Sequence, residues 1–113
     1  MVTGYDPEFL AKWIIDVLCG FEDMKPYVDT KISRNEWIRE FDPEITSSDE
    51  YVWHRDLKDR TFEVMDGEGW KFQFDDELPQ SINSGDKIFV PKMTYHRLLL
   101  GKTRLKIRIE ELD

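Results

Sequence analysis

The beginning of the chain has the apolar spacing of an amphipathic helix. Apolar side chains recur three and four positions apart from Phe9 to Phe21, and this is the period of one helical face. Asp6 is a suitable N-cap, and Pro7 suits the first helical position because its missing N–H is not needed there. Gly20 marks the expected end. We expect this helix to pack on the rest of the domain or on a second subunit.

Residues 22–45 have a less regular pattern. Ser33 and Glu36 have the spacing of a capping box, which favours a short helix, although a strand would also fit. The inner face of that helix would carry Trp37, Ile38 and Phe41. We therefore expect residues 1–45 to form a helical N-terminal extension.

From residue 51 onward the apolar period changes to two, which is typical of half-buried strands. The pattern predicts strands at residues 51–56, 61–65, 70–74, 87–90, 95–100 and 104–110. Many short strands without an internal repeat indicate one antiparallel barrel or sandwich. We expect a single domain over residues 1–113, with the barrel in residues 46–113.

Composition and charge narrow the classes of function. The chain has 24 acidic and 16 basic residues, a balance that disfavours nucleic acid and anionic membranes as partners. Cys19 is the only cysteine, which excludes an internal disulfide and fits a reducing compartment. No apolar run is long enough to span a membrane. These features predict a cytoplasmic protein.

The segment around His54 resembles the first of the two motifs of the cupin superfamily. That motif has two histidines separated by one residue, then a glutamate, then a glycine. The corresponding positions here hold His54, Asp56, Arg60 and Gly67, with the spacing intact. The spacing therefore fits the motif, but the second histidine and the glutamate are replaced.

The segment around His96 resembles the second cupin motif. A glycine, a proline, a second glycine and a histidine are expected, and the chain has Gly85, Pro91, Met93 and His96 at the right spacing. The asparagine expected four residues later is Leu100. Three of these five positions keep the residue type of the motif.

The resemblance covers about the last half of the chain and implies its fold and assembly. It implies a mainly β protein with a cupin-type double-stranded β-helix, or jelly-roll barrel, preceded by an N-terminal α-helical segment. Cupins commonly pair, so it also implies a homodimer. The amino-acid sequence around residues 53–56 and 95–97 also resembles that of small cupin-like proteins of marine bacteriophages.

The resemblance also implies a metal site. In metal-binding cupins the motif histidines and the glutamate hold one divalent ion, and the corresponding ligands here are His54, Asp56 and His96. A carboxylate in place of a histidine still suits Fe, Mn or Zn, and Ni is not distinguished from them. Arg60 cannot ligate because its guanidinium stays protonated. We expect Arg60 to bind a small anionic ligand instead.

The pleat of a strand places further residues around this site. Side chains two apart share a face, so a strand over residues 51–56 puts Val52 beside His54 and Asp56. A strand over residues 61–65 that points Arg60 inward also points Phe62 and Val64 inward and Glu63 outward. Two aromatic residues are expected to line the ligand pocket, Phe62 and Phe72.

A competing hypothesis is a non-catalytic, dimeric structural or binding scaffold with a metal-free pocket. In that case Arg60 pairs with Asp56, and the arginine both occupies the carboxylate and repels a metal ion. The two hypotheses differ in the placement of Arg60. An Arg60 that lies across Asp56 favours the scaffold, and an Arg60 that turns away favours the metal.

The ligand pattern also resembles that of Fe(II)/2-oxoglutarate oxygenases, which need a basic residue beyond the last histidine. Arg104 is the candidate by position, followed by Lys106. Both alternate with the apolar residues of the last predicted strand, so we expect them to face solvent. The chain is also short for this class. The sequence leaves open whether the protein is an enzyme, and which substrate and reaction would apply.

Overall fold

Antiparallel strands form the framework of the computed structural model, which describes residues 25–112. The predicted N-terminal helix, from its cap at Asp6 to Phe21, lies outside these residues. None of the helical segments in the described part of the chain has the length and hydropathy that a membrane crossing requires.

Eight strands and one 3-10 turn follow one another within residues 25–112. The strands are β1 Tyr27–Ser33, β2 Glu36–Phe41, β3 Arg60–Asp66, β4 Lys71–Phe74, β5 Gln80–Ser81, β6 Lys87–Val90, β7 His96–Leu99 and β8 Leu105–Glu111. The 3-10 turn, Asp49–Tyr51, lies between β2 and β3.

The strands form two sheets that enclose one core. The larger sheet has the order β1-β2-β8-β3-β6, and the smaller has the order β5-β4-β7. Apolar side chains of both sheets pack in a single buried cluster that includes Phe41, Val64, Trp70, Leu98 and Leu105. β8 shows the alternation most clearly, because Leu105, Ile107 and Ile109 are buried whereas Lys106 and Arg108 between them are exposed.

The short helix predicted from the Ser33–Glu36 spacing is wrong, and the alternative of a strand is confirmed. β1 and β2 form a hairpin in which Ser33 pairs with Glu36, and Ser33 Oγ donates to Asn35 Oδ1 at 3.2 Å. β2 also pairs with β8 along its whole length. These long-range pairings outweigh the local capping pattern. Residues 27–41 are therefore part of the barrel and not of a helical extension.

The later strands were predicted to within one residue at each end, with two exceptions. The predicted strand over residues 51–56 is wrong, because the chain there has the end of the 3-10 turn and a single bridge between His54 and His96. Val52 is 56% exposed and does not lie beside the pocket. The pleat predicted for β3 is confirmed, since Phe62 and Val64 are buried and Glu63 is not. The short strand β5 was not predicted.

The motif glycines lie at turns that need unusual backbone angles. Gly67 has φ +143° and Gly85 has φ +94°, a region that side chains with a Cβ rarely adopt. Met93 has φ 62°, although it is not a glycine, and it stands where the second motif has one. The structure thus keeps the left-handed turn of the motif at Met93 at the cost of backbone strain.

Candidate metal centre

A cavity of about 50 Å³ opens between the two sheets. One water molecule needs roughly 10–15 Å³, so the enclosed part has room for an ion and a few ligand atoms. All six residues predicted for the site line this cavity: His54, Asp56, Arg60, Phe62, Phe72 and His96. The six side chains therefore share one cavity, and their roles as metal and anion ligands stay predictions.

The three predicted metal ligands converge. One ligand atom from each of His54, Asp56 and His96 lies within 4.8 Å of the other two. Atoms that share an ion at about 2.1 Å lie roughly 3–3.5 Å apart. Asp56 Oδ2 and His96 Nε2, at 3.3 Å, already have this spacing. An ion would require the remaining ligand to move by no more than about 1–1.5 Å.

Both imidazoles present the same nitrogen to the cavity. Nδ1 of His54 lies 2.8 Å from the carbonyl oxygen of Val52, and Nδ1 of His96 lies 2.8 Å from that of Thr94. A carbonyl can only accept, so Nδ1 carries the proton and donates in each ring. Nε2 is then the nitrogen available to a metal. A backbone partner on the second nitrogen is the usual arrangement of metal-binding histidines.

The backbone holds the two rings beside each other. His54 N donates to His96 O at 3.0 Å, and His96 N donates to His54 O at 2.9 Å. This bridge sets the ring centroids 4.3 Å apart at an angle of 63°. Phe72 stacks on the other side of His96, with centroids 5.5 Å apart. His96 is thus fixed between a partner histidine and a core aromatic ring.

The Asp56 carboxylate and the His96 imidazole stabilise each other's charged forms. The hydrogen bond from His96 lowers the pKa of Asp56; burial opposes this shift, and the nearby Arg60 charge adds to it. For His96, burial favours the neutral ring, but the hydrogen bonds to Asp56 and the Thr94 carbonyl outweigh burial and raise its pKa. Each group therefore favours the charged form of the other.

Arg60 is held mainly by a residue that the sequence did not indicate. Its Nε and Nη2 donate to Glu111 Oε2 at 3.2 and 3.1 Å. Its Nη1 lies 3.5 Å from Asp56 Oδ1, which is longer than either bond to Glu111. Arg60 is therefore hydrogen-bonded to Glu111 and also ion-paired with Asp56, while the three metal ligands still converge. Its placement combines the Asp56 contact expected of the scaffold with the converging ligands expected of the metal site.

Two further charged side chains line the cavity, Arg39 and Glu50. Arg39 is only 8% exposed, and its Nε and Nη2 donate to both carboxylate oxygens of Asp29 at 2.7 and 2.9 Å. Arg39 was not predicted at the site, because the spacing of residues 33–41 favoured a helix. A strand there would have placed Arg39 on the same face as Phe41, two residues away.

Arg104, the basic residue that an oxygenase of the 2-oxoglutarate class would need, does not reach the cavity. Its side chain is 60% exposed and lies 3.8 Å from Glu40 and 3.6 Å from Asp42. Lys106 is exposed as well. The prediction that both face solvent is confirmed. Between His96 and residue 112, the side chains that line the cavity are apolar, which counts against the oxygenase hypothesis.

Comparison with known proteins identifies the fold. No protein-family model and no curated protein matches the sequence. Among solved structures, a cupin-2 domain protein of Shewanella frigidimarina superposes with a TM-score of 0.54 at 19% identity, over 88% of this chain and 95% of that one. A cupin superfamily protein of Desulfitobacterium hafniense gives 0.53 at 20% identity, over 77% and 76%.

FeII HppE is a third structural neighbour, with a TM-score of 0.56 at 14% identity, over 76% of this chain and 50% of that one. The described part of the chain thus has the cupin fold, as its two motifs predicted. Identities this low show the fold alone. The bacteriophage resemblance, the homodimer and the cytoplasmic compartment stay predictions.

Proposed function

We propose that this cupin-fold protein binds one divalent transition-metal ion through His54, Asp56 and His96, and a small anionic ligand beside the ion. The proposal rests on one observation, the convergence of the ligand atoms of these three residues. Both histidines use Nδ1 for a backbone carbonyl, which leaves Nε2 of each available to an ion, and one ligand atom from each of His54, Asp56 and His96 lies within 4.8 Å of the other two. One structural neighbour, HppE, is described in its FeII form.

The charges around the cavity support a dication. With neutral histidines, two arginines and four carboxylates leave two more negative than positive charges. The six groups are Arg39, Arg60, Asp29, Glu50, Asp56 and Glu111. Except for Arg39, these side chains are 18–39% exposed, so solvent screens part of the surplus, and a cation in the cavity would balance what remains. A proton on His96 offsets part of the surplus in the metal-free protein, and a divalent ion would offset all of it.

The anionic ligand belongs on the Arg60 side of the cavity. Arg60 directs Nε and Nη2 towards Glu111, whereas its Nη1 has only the 3.5 Å contact with Asp56. That N–H group can donate to a carboxylate or phosphate oxygen. A bound divalent ion would supply Lewis acidity to the same ligand. Because the surrounding carboxylates repel anions, we expect the ligand to bind only when the metal is present.

One observation favours the alternative of a metal-free scaffold. His96 Nε2 and Asp56 Oδ2 already contact each other at 3.3 Å, so each has a partner without an ion. The metal must displace the proton of His96 to bind. The two functions therefore differ in a measurable quantity, the stabilisation of the fold by metal.

Thermal unfolding of chelator-treated protein tests the proposal. At about 100 times its Kd, a ligand of the folded state adds about 2.7 kcal/mol, which raises Tm by roughly 10 °C in a domain of this size. We expect this rise with Mn(II), Fe(II), Zn(II) or Ni(II) in the parent and in Asp76→Asn, whose carboxylate lies on an exposed turn. Asp56→Asn should abolish it. A parent that gains no stability from any of these ions would favour the scaffold.

The ligand is tested in the same assay with acetate and inorganic phosphate as probes. We expect either anion to raise Tm further when the metal is present and to have no effect in the chelator-treated protein. Arg60→Gln should remove the additional rise. An equal rise with and without metal would contradict the proposed order of binding.

A further inference from the structure

We propose that Glu50 is a fourth metal ligand and takes the place of the motif glutamate that Arg60 replaces. The inference rests on the proposed metal site and adds a residue that lies outside both motifs. Glu50 lies in the 3-10 turn before β3, four residues upstream of His54.

Glu50 makes the same kind of contact with His54 that Asp56 makes with His96, and it lies just outside the three residues whose ligand atoms are within 4.8 Å of one another. Glu50 Oε1 lies 3.6 Å from His54 Nε2, and Asp56 Oδ2 lies 3.3 Å from His96 Nε2. Both distances are close to the roughly 3–3.5 Å that separates two atoms bound to one ion. The site thus consists of two carboxylate–imidazole pairs whose rings are adjacent, with centroids 4.3 Å apart.

Glu50 is not required to balance Arg39. That guanidinium donates to both oxygens of Asp29 at 2.7 and 2.9 Å, and it stacks 3.9 Å from the centre of the Tyr27 ring. Its contact with Glu50 Oε2, at 3.5 Å, is longer. Glu50 can therefore turn one oxygen to an ion without leaving a buried arginine unpaired.

The same relation holds on the other side of the cavity. Arg60 is hydrogen-bonded to Glu111 and makes only a 3.5 Å contact with Asp56. Each arginine of the cavity thus has two carboxylate partners. The outer one, Asp29 or Glu111, is at hydrogen-bond distance, and the inner one, which lines the cavity, is farther away. The inner carboxylates, Glu50 and Asp56, are the two that lie against histidines.

The turn that carries Glu50 is anchored to the core. Ser48 Oγ accepts a hydrogen bond from Glu50 N at 3.0 Å. The Tyr51 ring packs against Phe41 and Trp70, with centroid distances of 6.3 and 6.2 Å. The turn directs Glu50 into the cavity and leaves its neighbour Asp49 exposed. The backbone therefore positions a carboxylate at the site.

A comparison of Glu50→Gln with Asp49→Asn tests the inference, because both variants remove one carboxylate from the same turn. Mn(II) affinity is measured by competition with a chelator. Removing even a hydrogen-bond partner of a metal ligand typically lowers the metal affinity by roughly tenfold to hundredfold. We expect Glu50→Gln to bind Mn(II) at least about tenfold more weakly than the parent, and Asp49→Asn to bind it as the parent does.

The absorption spectrum of bound Co(II) distinguishes direct coordination by Glu50 from a long-range effect of its charge. The visible absorption of protein-bound Co(II) depends on the number and type of its ligands. We expect Glu50→Gln to change this spectrum and Asp49→Asn to leave it unchanged. If Glu50→Gln does not fold, Glu50→Asp replaces it, and its shortened carboxylate should also weaken binding and alter the spectrum.

Two results would overturn the inference while the proposed function stands: equal Mn(II) affinity in Glu50→Gln and Asp49→Asn, or weaker affinity in Glu50→Gln with the Co(II) spectrum of the parent. The second result would show that Glu50 only orients His54 or attracts the ion. A parent that binds neither ion would instead overturn the proposed function and this inference together.

Discussion

His54 and His96 face each other in one cavity, yet the segments that carry them are built differently. The downstream segment, residues 85–99, contains β6 and β7, which pair with β3 and β4. The upstream segment, residues 48–60, contains a 3-10 turn, a single backbone bridge at His54 and then the first residue of β3. One wall of the site is therefore part of a sheet, and the other is an irregular loop.

The two segments are held in position by different interactions. His96 is 5% exposed and is fixed by strand pairing and core packing. The upstream segment depends on the downstream one, because His54 exchanges two backbone hydrogen bonds with His96, and Asp56 O accepts one from Met93 N at 2.8 Å. We expect changes in the sheet to act mainly on stability, and changes in the upstream segment to act mainly on binding.

The largest predicted effect on stability is that of Gly101→Ala, two residues after the end of β7. An added methyl group would overlap the indole of Trp70, which is 1% exposed and donates from Nε1 to Thr103 O at 2.7 Å. We expect the free energy of unfolding to fall by about 2–4 kcal/mol, measured by urea titration. Gly85→Ala, whose methyl group meets no atom within 4 Å, should lose only about 1 kcal/mol through backbone strain. Equal losses would contradict this account.

The pH dependence of metal binding tests the role of His96. Metal binds the neutral ring, and the hydrogen bond to Asp56 raises the pKa of His96 despite burial. Protons therefore compete from a higher pH than at an ordinary histidine. We expect the Zn(II) affinity to fall by about tenfold for each pH unit below that pKa.

Calorimetry in two buffers of different ionisation enthalpy checks the same point. We expect proton release on Zn(II) binding at pH values below the His96 pKa and little release above it. Binding that is independent of pH would show that His96 is not a ligand.

Arg60→Gln tests whether the upstream segment limits metal affinity. The variant removes a positive charge that lies 3.5 Å from Asp56. At an effective dielectric constant of about 20, such a charge opposes a nearby cation by a few kcal/mol before screening. We expect Mn(II) to bind about tenfold more tightly, with little change in Arg104→Gln, whose side chain is exposed. Weaker binding in Arg60→Gln would contradict this electrostatic account.

The smallest predicted effect is that of Met93→Gly in the downstream segment. Met93 has φ 62°, and glycine relieves the strain of this conformation while losing more entropy on folding. We expect a net stabilisation of about 0.5–1 kcal/mol in urea unfolding. Met93→Ala keeps a Cβ at the same φ and should not stabilise the fold. A loss of stability in Met93→Gly would show that the Met93 side chain contributes more than the strain costs.

The two segments also differ in how far the sequence could predict them. The strand at residues 87–90 was predicted correctly because its alternation, its preceding glycine turn and the motif spacing all agree. The upstream segment has the same alternation around His54, but it does not pair with strands on its two sides. Its one bridge is with His96. Period two alone therefore predicted a strand where a 3-10 turn and one bridge occur.

Sequence patterns could not predict which charged residues pair with each other around the cavity. Arg60 pairs with Glu111, 51 positions away, and Arg39 pairs with Asp29 across the β1–β2 hairpin. Such partners are set by strand order and register, which the motif spacing does not specify. Motif spacing did place His54, Asp56 and His96 together, since it determines which residues meet within the barrel.

The central claim is that His54, Asp56 and His96 hold a metal ion, and elemental analysis tests it most directly. Protein purified without a histidine tag is compared with its His96→Ala variant, both before and after incubation with Fe(II), Mn(II) or Zn(II). We predict about one ion per chain in the parent and almost none in the variant. A parent without metal after incubation, or a variant that retains as much metal as the parent, would contradict the claim.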